Sequence, residues 1–270
     1  MIRWASIAAA LLAVALLAPA ETQEERGKRI VNEAVAALGG DNFLHLQNVV
    51  ETGRLYSFYR EQISGLAVGT VYREFRKPAA PDQLGVVERE SFDYSNKKRK
   101  ELYAILFTTK EAWDISFRGA RPLPKDRFPR YKLTTTHDVF YILRERLNEP
   151  GMIFVSQGSD VLDNRPVEIV DIIDGNNEKT TVYFDQTTKV PIRQKFYHLD
   201  PLDNQQDEEI TYYTKYRDVG DGVQWPFELQ REHNGDKVFT LFSESVKVNE
   251  NISDKLFMLP SDIKILERVD

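Results

Sequence analysis

The chain has no cysteine, which excludes disulfides, thiolate metal sites and a lipid-modified cysteine behind a leader. Histidine is scarce as well. His45, His137, His198 and His233 are the only four; no H-E-x-x-H spacing and no G-x-S-x-G elbow accompanies them, so neither a zinc-protease site nor a nucleophilic triad is legible. Asp218, Asp221 and the DGNNE turn from Asp174 to Glu178 lack the regular oxygen-ligand spacing of a calcium loop. No metal and no cofactor are therefore expected. A basic excess is missing too: 36 Lys and Arg stand against 42 Asp and Glu, for a net charge of −6. That balance argues against a general nucleic-acid binder, which needs a broad basic face.

Long apolar runs are also absent, with one exception at the start. Arg3 precedes an apolar stretch from Ala5 to Leu17, and Ala18-Pro19-Ala20 closes it before a polar segment. This is the pattern of a cleavable secretory signal peptide spanning 1–20, and its apolar core is shorter than the ~20 residues that a membrane span requires. The expected product, residues 21–270, is a single exported domain in the periplasm without a lipid anchor.

What the chain has is strands. From Thr180 to Pro260, TTVYF leads through DQTTK to VPIRQKFYH, in which Val190, Ile192 and Phe196 alternate with Arg193, Lys195 and Tyr197 at the period of a half-buried strand. EITYYTKYRDV then turns at Asp221-Gly222 into VQWPFELQREH, which turns at Asn234-Gly235 into DKVFTLFSESVKV. Both dipeptides tolerate the left-handed backbone that tight hairpins demand. Shorter alternating segments occupy 49–59, 66–76, 84–94 and 101–107. The acidic stretch from Asp200 to Glu209 reads as a solvated loop.

Two helices are expected. Ile30, Val31, Ala34, Val35 and Leu38 fall at helical spacing over 24–38, ahead of Gly39-Gly40. Val139, Phe140, Leu143 and Leu147 do the same over 136–147, with Thr136 or Asp138 placed to cap the start. Between them, residues 118–132 (RGARPLPKDRFPRYK) carry three prolines and read as a long loop.

The segments FDQTTKVPIR, YRDVGDGVQWPFEL and VKVNENISDKLFMLP resemble the final strands of LolA-like proteins, the outer-membrane lipoprotein carrier superfamily. GSDVLDNRPVEIVDI resembles the strand pair that precedes them, and VAALGGDNFLHLQNVVETGRL the opening helix and first strand. Together with the strand pattern, the resemblance implies a mainly β (α+β) fold. The expected form is a curved antiparallel sheet of about ten to eleven strands in an open half-barrel, its concave face covered by two or three helices.

Aromatic residues on the strands are the candidates for a hydrophobic ligand site: Tyr56, Phe58, Phe75, Trp113, Phe117, Tyr183, Trp225 and Phe227. Each is equally explained as plain core. Arg118, Arg121, Lys125, Arg127 and Arg130, with Phe128 as an apolar tip, are candidates for contact with anionic headgroups or an acidic partner. Lys97-Lys98-Arg99-Lys100 forms a second basic cluster. The function expected is non-catalytic binding of lipoprotein acyl chains or another envelope lipid by a carrier or sensor, with an envelope protein and a membrane surface as further partners. Two other readings stay open: a protein-interaction or stress-sensing module, and a hydrolase whose paired carboxylates come from distant strands.

Overall fold

A computed structural model of the protein describes residues 20–80, 82–93, 101–200 and 204–269. Most of the leader, Tyr94 and the basic cluster Lys97 to Lys100 lie outside them. Among the described residues, two helices come first, α1 (Gln23–Ala37) and α2 (Asp41–Leu44). Six strands follow: β1 (Asn48–Tyr59), β2 (Gln62–Phe75), β3 (Val86–Asp93), β4 (Glu101–Phe107), β5 (Ala112–Ser116) and β6 (Gly119–Pro122). Next come α3 (Arg127–His137) and α4 (Val139–Tyr141), which runs on into a π-helical turn, Ile142–Arg146. Seven further strands complete the order: β7 (Ile153–Leu162), β8 (Arg165–Ile173), β9 (Lys179–Asp185), β10 (Pro191–Leu199), β11 (Gln206–Asp218), β12 (Gln224–His233) and β13 (Asp236–Val248).

All thirteen strands join one open, curved antiparallel sheet in the order β6-β5-β4-β3-β2-β1-β13-β12-β11-β10-β9-β8-β7. The count exceeds the expected ten to eleven because β5 and β6 form a short hairpin too brief to show a sequence period. Pro122 fits there, since it ends the outermost strand. The expected loop over 118–132 is likewise corrected: β6 and the first half of α3 occupy it. Pro129 is the third residue of α3, where a missing backbone N–H costs nothing because first-turn donors have no intrahelical partner. The second helix therefore begins earlier than expected and breaks at Asp138. The acidic stretch is corrected too: Gln206 to Glu209 belong to β11, and Asp207 and Glu209 are buried against His233 and Arg130 rather than solvated.

Local chemistry explains the main elements. Thr22 and Glu25 cap α1 reciprocally, satisfying two first-turn donors. The apolar stripe Ile30, Val31, Ala34, Val35 and Leu38 is wholly buried. Its helix lies on β7 and β8, so closely that Gly27 meets the Phe154 carbonyl. At the β12–β13 turn, Asn234 and Gly235 take φ values of 51° and 84°, the geometry that their side chains tolerate.

The concave face is packed in one part and hollow in another. Beneath α1 and α4, Val31, Leu143, Val170, Phe184, Tyr213 and Trp225 belong to one continuous core. The ring of Phe140 stands 5.1 Å from that of Tyr213 and 5.0 Å from that of Trp225. Beneath α3, between its contacts to Phe107 and Glu209, a cavity separates helix from sheet. The opposite face is covered locally by the C-terminal segment, whose Phe257 is buried with Val87, Leu106 and Ile115. Ala120 of β6 is bracketed by backbone bonds to Lys264 and Leu266, so that edge does not present open pairing groups.

Candidate functional site

A cavity of about 890 Å3 lies between the concave face of β1–β3 and β11–β13 and the helices α3 and α4. It runs along the strands toward the β1–β2 hairpin. Strand parity builds its floor. On β3, Val86, Glu88, Glu90 and Phe92 share one face, and on β2 Val71, Arg73 and Phe75 share it with them. Leu55, Ala67, Phe239 and Leu241 make the hairpin half of the wall apolar.

The roof is held by hydrogen bonds that the sheet supplies. Asp138 caps α4 by accepting from the N–H groups of Phe140 (3.0 Å) and Tyr141 (3.1 Å), and it also accepts from the Tyr213 hydroxyl at 3.2 Å. Gln194 on β10 accepts from the Val139 N–H at 2.7 Å. Tyr141 accepts from the Gly85 N–H at 2.8 Å. On α3, Tyr131 stacks on Phe107 with centroids 3.9 Å apart, and Arg130 pairs with Glu209 at 3.3 Å. Glu209 is shared with His233, 3.1 Å away, and His198, 3.6 Å away. The other histidine of this region, His137, is buried and stacked on Phe196 at 4.3 Å; burial holds its pKa below the usual value.

A charged belt crosses the floor. Arg73 and Glu88 are cross-strand partners, 2.6 Å apart. Glu90 lies two residues along β3 from Glu88, and Glu51 lies two residues along β1 from Val49, which opposes Arg73. Glu51 is buried and accepts from Ser243. Burial raises its pKa. Burial, aided by the charge of Glu88, pushes Glu90 up to about 7. The Tyr131 oxygen is buried, and burial raises that hydroxyl well above its ordinary value despite the lowering effect of Thr135.

The sequence candidates are distributed unevenly around this space. Phe75 and Trp225 line the cavity, whereas the Tyr56 ring packs edge-on against Phe242, 5.7 Å away, on the other face of the sheet. Phe227 is in the core with Arg217 4.4 Å from its ring centroid. Trp113 packs on the opposite face near the C-terminal segment. Tyr183 carries the Arg193 guanidinium 5.0 Å from its centroid, and Phe58 carries the Lys237 ammonium at 4.6 Å. Phe117 is 84% exposed at the β5–β6 turn under Arg118. Of the basic residues, Arg130 lines the cavity; Arg121 sits on β6 opposite Asp114, and Lys125 and Arg127 flank the start of α3. Phe128 packs with Ile105 and Phe107.

The belt residues Glu51, Arg73, Glu88 and Glu90 were missed by sequence reasoning. The signal available was VVERESFD, in which two acids occupy the same parity as Val86 and Phe92. It is ambiguous because Val87 is buried on the other face as well.

An open antiparallel sheet with a partly roofed concave face is a half-barrel. No sequence-family model matches this chain, and no curated protein matches it by sequence. Solved structures do. A domain described as an outer membrane lipoprotein-sorting protein, from Vibrio parahaemolyticus, matches with a TM-score of 0.56 at 11% identity, covering 87% of this chain and 97% of its own. A DUF1329 family protein from Desulfovibrio piger gives 0.53 at 8% identity, with 88% and 98% covered. A LolA superfamily protein from Nitrosomonas europaea gives 0.52 at 13% identity, with 86% and 97% covered. The chain thus has the fold of LolA superfamily proteins. Among the described residues, no helix is long and apolar enough to cross a membrane.

Proposed function

We propose that the protein is a periplasmic, non-catalytic binder of a hydrophobic ligand, the acyl chains of a lipoprotein or another envelope lipid, which it carries or senses. The observation that carries this reading is the cavity itself. Its volume of about 890 Å3 lies within the ~300–1,000 Å3 typical of ligand sites, and its hairpin half is walled by aliphatic and aromatic side chains. Each methylene transferred from water contributes ~0.8 kcal/mol, so a dozen buried carbons give on the order of 10 kcal/mol before ordering costs. The expected leader at 1–20 supports export, and the fold likeness to a lipoprotein-sorting domain supports the ligand class.

The test is native mass spectrometry of the protein purified from a bacterial periplasm, followed by solvent extraction and lipid identification. A stoichiometric lipid or acylated peptide is expected, and Val71→Trp, which fills the floor, should abolish it. A clean apo mass with no uptake of added lipids would overturn the reading. It would favour the second one, an envelope protein-interaction module, for which the exposed Tyr59, Ile63 and Leu66 around the β1–β2 hairpin offer an apolar contact surface.

A further inference from the structure

The cavity is not uniformly apolar, and the imbalance of its charges specifies more than a chain. Six carboxylates line it, Glu51, Glu88, Glu90, Asp93, Asp138 and Glu209, against three guanidiniums, Arg73, Arg130 and Arg231. Most of these groups are already engaged. Arg130 is paired with Glu209 and Arg73 with Glu88, while Asp138 is satisfied by two backbone N–H groups and the Tyr213 hydroxyl. Glu51 has the Ser243 hydroxyl and a hydrogen bond from Trp225 but, among the described residues, no ion pair. Glu90 has neither a hydrogen bond nor an ion pair among the described residues. Arg231, Arg73 and Arg127 act on Glu90 from a distance but none is bonded to it, and a half-buried carboxylate without a bonded cation gains from being supplied one.

The rings near Glu90 match the same chemistry. Phe92 and Tyr103 stack with centroids 5.1 Å apart, both line the cavity, and Tyr131 from α3 belongs to the same aromatic cluster. Aromatic faces beside a carboxylate attract an ammonium group doubly, through the ring quadrupole and through charge. On the hairpin side of the belt, from Glu51 to Ser57, the cavity continues for six residues of strand, ~20 Å at the usual rise. Leu55, Ala67, Leu241 and Phe239 line that stretch.

We infer that the belt formed by Glu51, Glu88 and Glu90 around Arg73, closed by Phe92, Tyr103 and Tyr131, is a head-group site for an amphiphile that carries a protonated amine, with its acyl chain running toward the β1–β2 hairpin. This deepens the lipid-binding reading and rests on it. The ammonium donates hydrogen bonds to Glu90 and Glu51, and the chain displaces water from the apolar half. Anionic heads such as a free carboxylate meet three carboxylates at the same place and are disfavoured.

The test is isothermal titration calorimetry of the mature protein, residues 21–270, with three single-chain probes of equal length: dodecylamine, dodecanol and dodecanoate. At pH 8 dodecylamine should bind about tenfold or more tighter than dodecanol, the size of effect that a charge-assisted hydrogen bond produces, and dodecanoate should bind weakest. The amine-to-alcohol affinity ratio should fall toward unity in Glu90→Gln and in Glu51→Gln, whereas Glu33→Gln on α1, outside the cavity, should leave it unchanged. The wild-type ratio should also rise between pH 6 and pH 8 as Glu90 ionises. Glu90 does so facing Glu88 on its own strand, Arg73 from β2, Tyr103 from β4, Arg127 and Tyr131 from α3, and Arg231 from β12. Binding of dodecanol or dodecanoate as tight as that of the amine would overturn the head-group assignment while leaving the lipid-binding reading in place. A preference that survives both belt substitutions would also overturn it. Failure of all three probes to bind would overturn the lipid-binding reading itself.

Discussion

Arg73 on β2 and Glu88 on β3 face each other directly across the sheet, with 2.6 Å between Nη2 and Oε2, and Glu88 keeps only 7% of its side-chain surface in contact with solvent. A pair so placed is worth little relative to apolar residues of equal size but a good deal relative to its own half, because removing one partner strands a buried charge. Glu88→Ala should therefore lower stability by about 2–3 kcal/mol, while the joint replacement Arg73→Met with Glu88→Leu should cost under about 1 kcal/mol. Urea unfolding of the three proteins measures this. Equal losses in the single and double variants would show that the pair contributes through packing alone.

How far the molecule could be read from its sequence follows from the same geometry. Hairpins announced themselves wherever turn chemistry was specific: Asn234-Gly235 and Asp221-Gly222 adopt the left-handed angles their residue types tolerate. The β5–β6 hairpin did not, since a strand as short as Gly119–Pro122 holds too few residues for any period to emerge. Pro129 counted toward an expected loop and is instead a first-turn helix residue, a distinction that depends on where the helix begins. The cavity was illegible for a different reason. Parity places Glu88 and Glu90 on one face of β3 and Val87 on the other, but the C-terminal segment buries Val87, so both faces carry apolar residues and neither identifies itself as concave. Trp113 and Phe75 are both strand aromatics, and only the tertiary fold separates the one under the C-terminal segment from the one at the cavity.

Asp138 ties the roof to the sheet, because one carboxylate caps α4 and also receives the Tyr213 hydroxyl. Asp138→Ala should lower stability by about 1–2 kcal/mol from the lost cap, or ~2–4 °C of Tm per kcal/mol in a chain of this size. Asp138→Asn keeps an acceptor oxygen and should lie close to wild type. Differential scanning calorimetry separates the two, and an alanine variant that melts with wild type would remove Asp138 from its role in holding α4.

Gly27 sits mid-helix, where alanine would ordinarily stabilise by ~1 kcal/mol. Here a Cβ would fall on the Phe154 carbonyl oxygen of β7 and stand 3.0 Å from the Ser156 nitrogen. Backbone of a paired strand cannot yield as a side-chain tip can, so overpacking wins and Gly27→Ala should destabilise by a net ~1–2 kcal/mol. Chemical denaturation of this variant, with an exposed alanine control at Asn32→Ala on the same helix, checks the sign. A stabilised Gly27→Ala would mean that α1 rides farther from β7 than it does here.

Glu90 makes stability depend on pH in a direction opposite to that of most carboxylates. Its pKa is raised from the ordinary 4.5 to about 7, so below 4.5 folded and unfolded chains both hold the proton and the group contributes no difference. Between 4.5 and 7 the unfolded chain ionises while the folded one does not, which favours unfolding progressively as pH rises, and above 7 the loss is complete. At ~1.4 kcal/mol per unit of pKa, reduced for the solvent contact Glu90 retains, the loss comes to about 2 kcal/mol. Glu51, also raised by burial, acts in the same direction. His137 opposes them: its pKa is lowered by burial, so falling pH protonates the unfolded chain first and costs stability on the acid side. Asp174 acts lower still. Burial would raise it, but the Arg146 hydrogen bond and the N–H groups of Asn176 and Glu178 outweigh that and hold it below 3.8, so its contribution is lost only in strong acid. The Glu90 component is isolated by subtracting wild type from Glu90→Gln, because His137 and Asp174 are common to both. That difference in unfolding free energy should move by about 2 kcal/mol in favour of Glu90→Gln between pH 5 and pH 7. A difference that stays constant across this range would place Glu90 in a hydrated site, and the uncompensated carboxylate on which head-group selection depends would not exist.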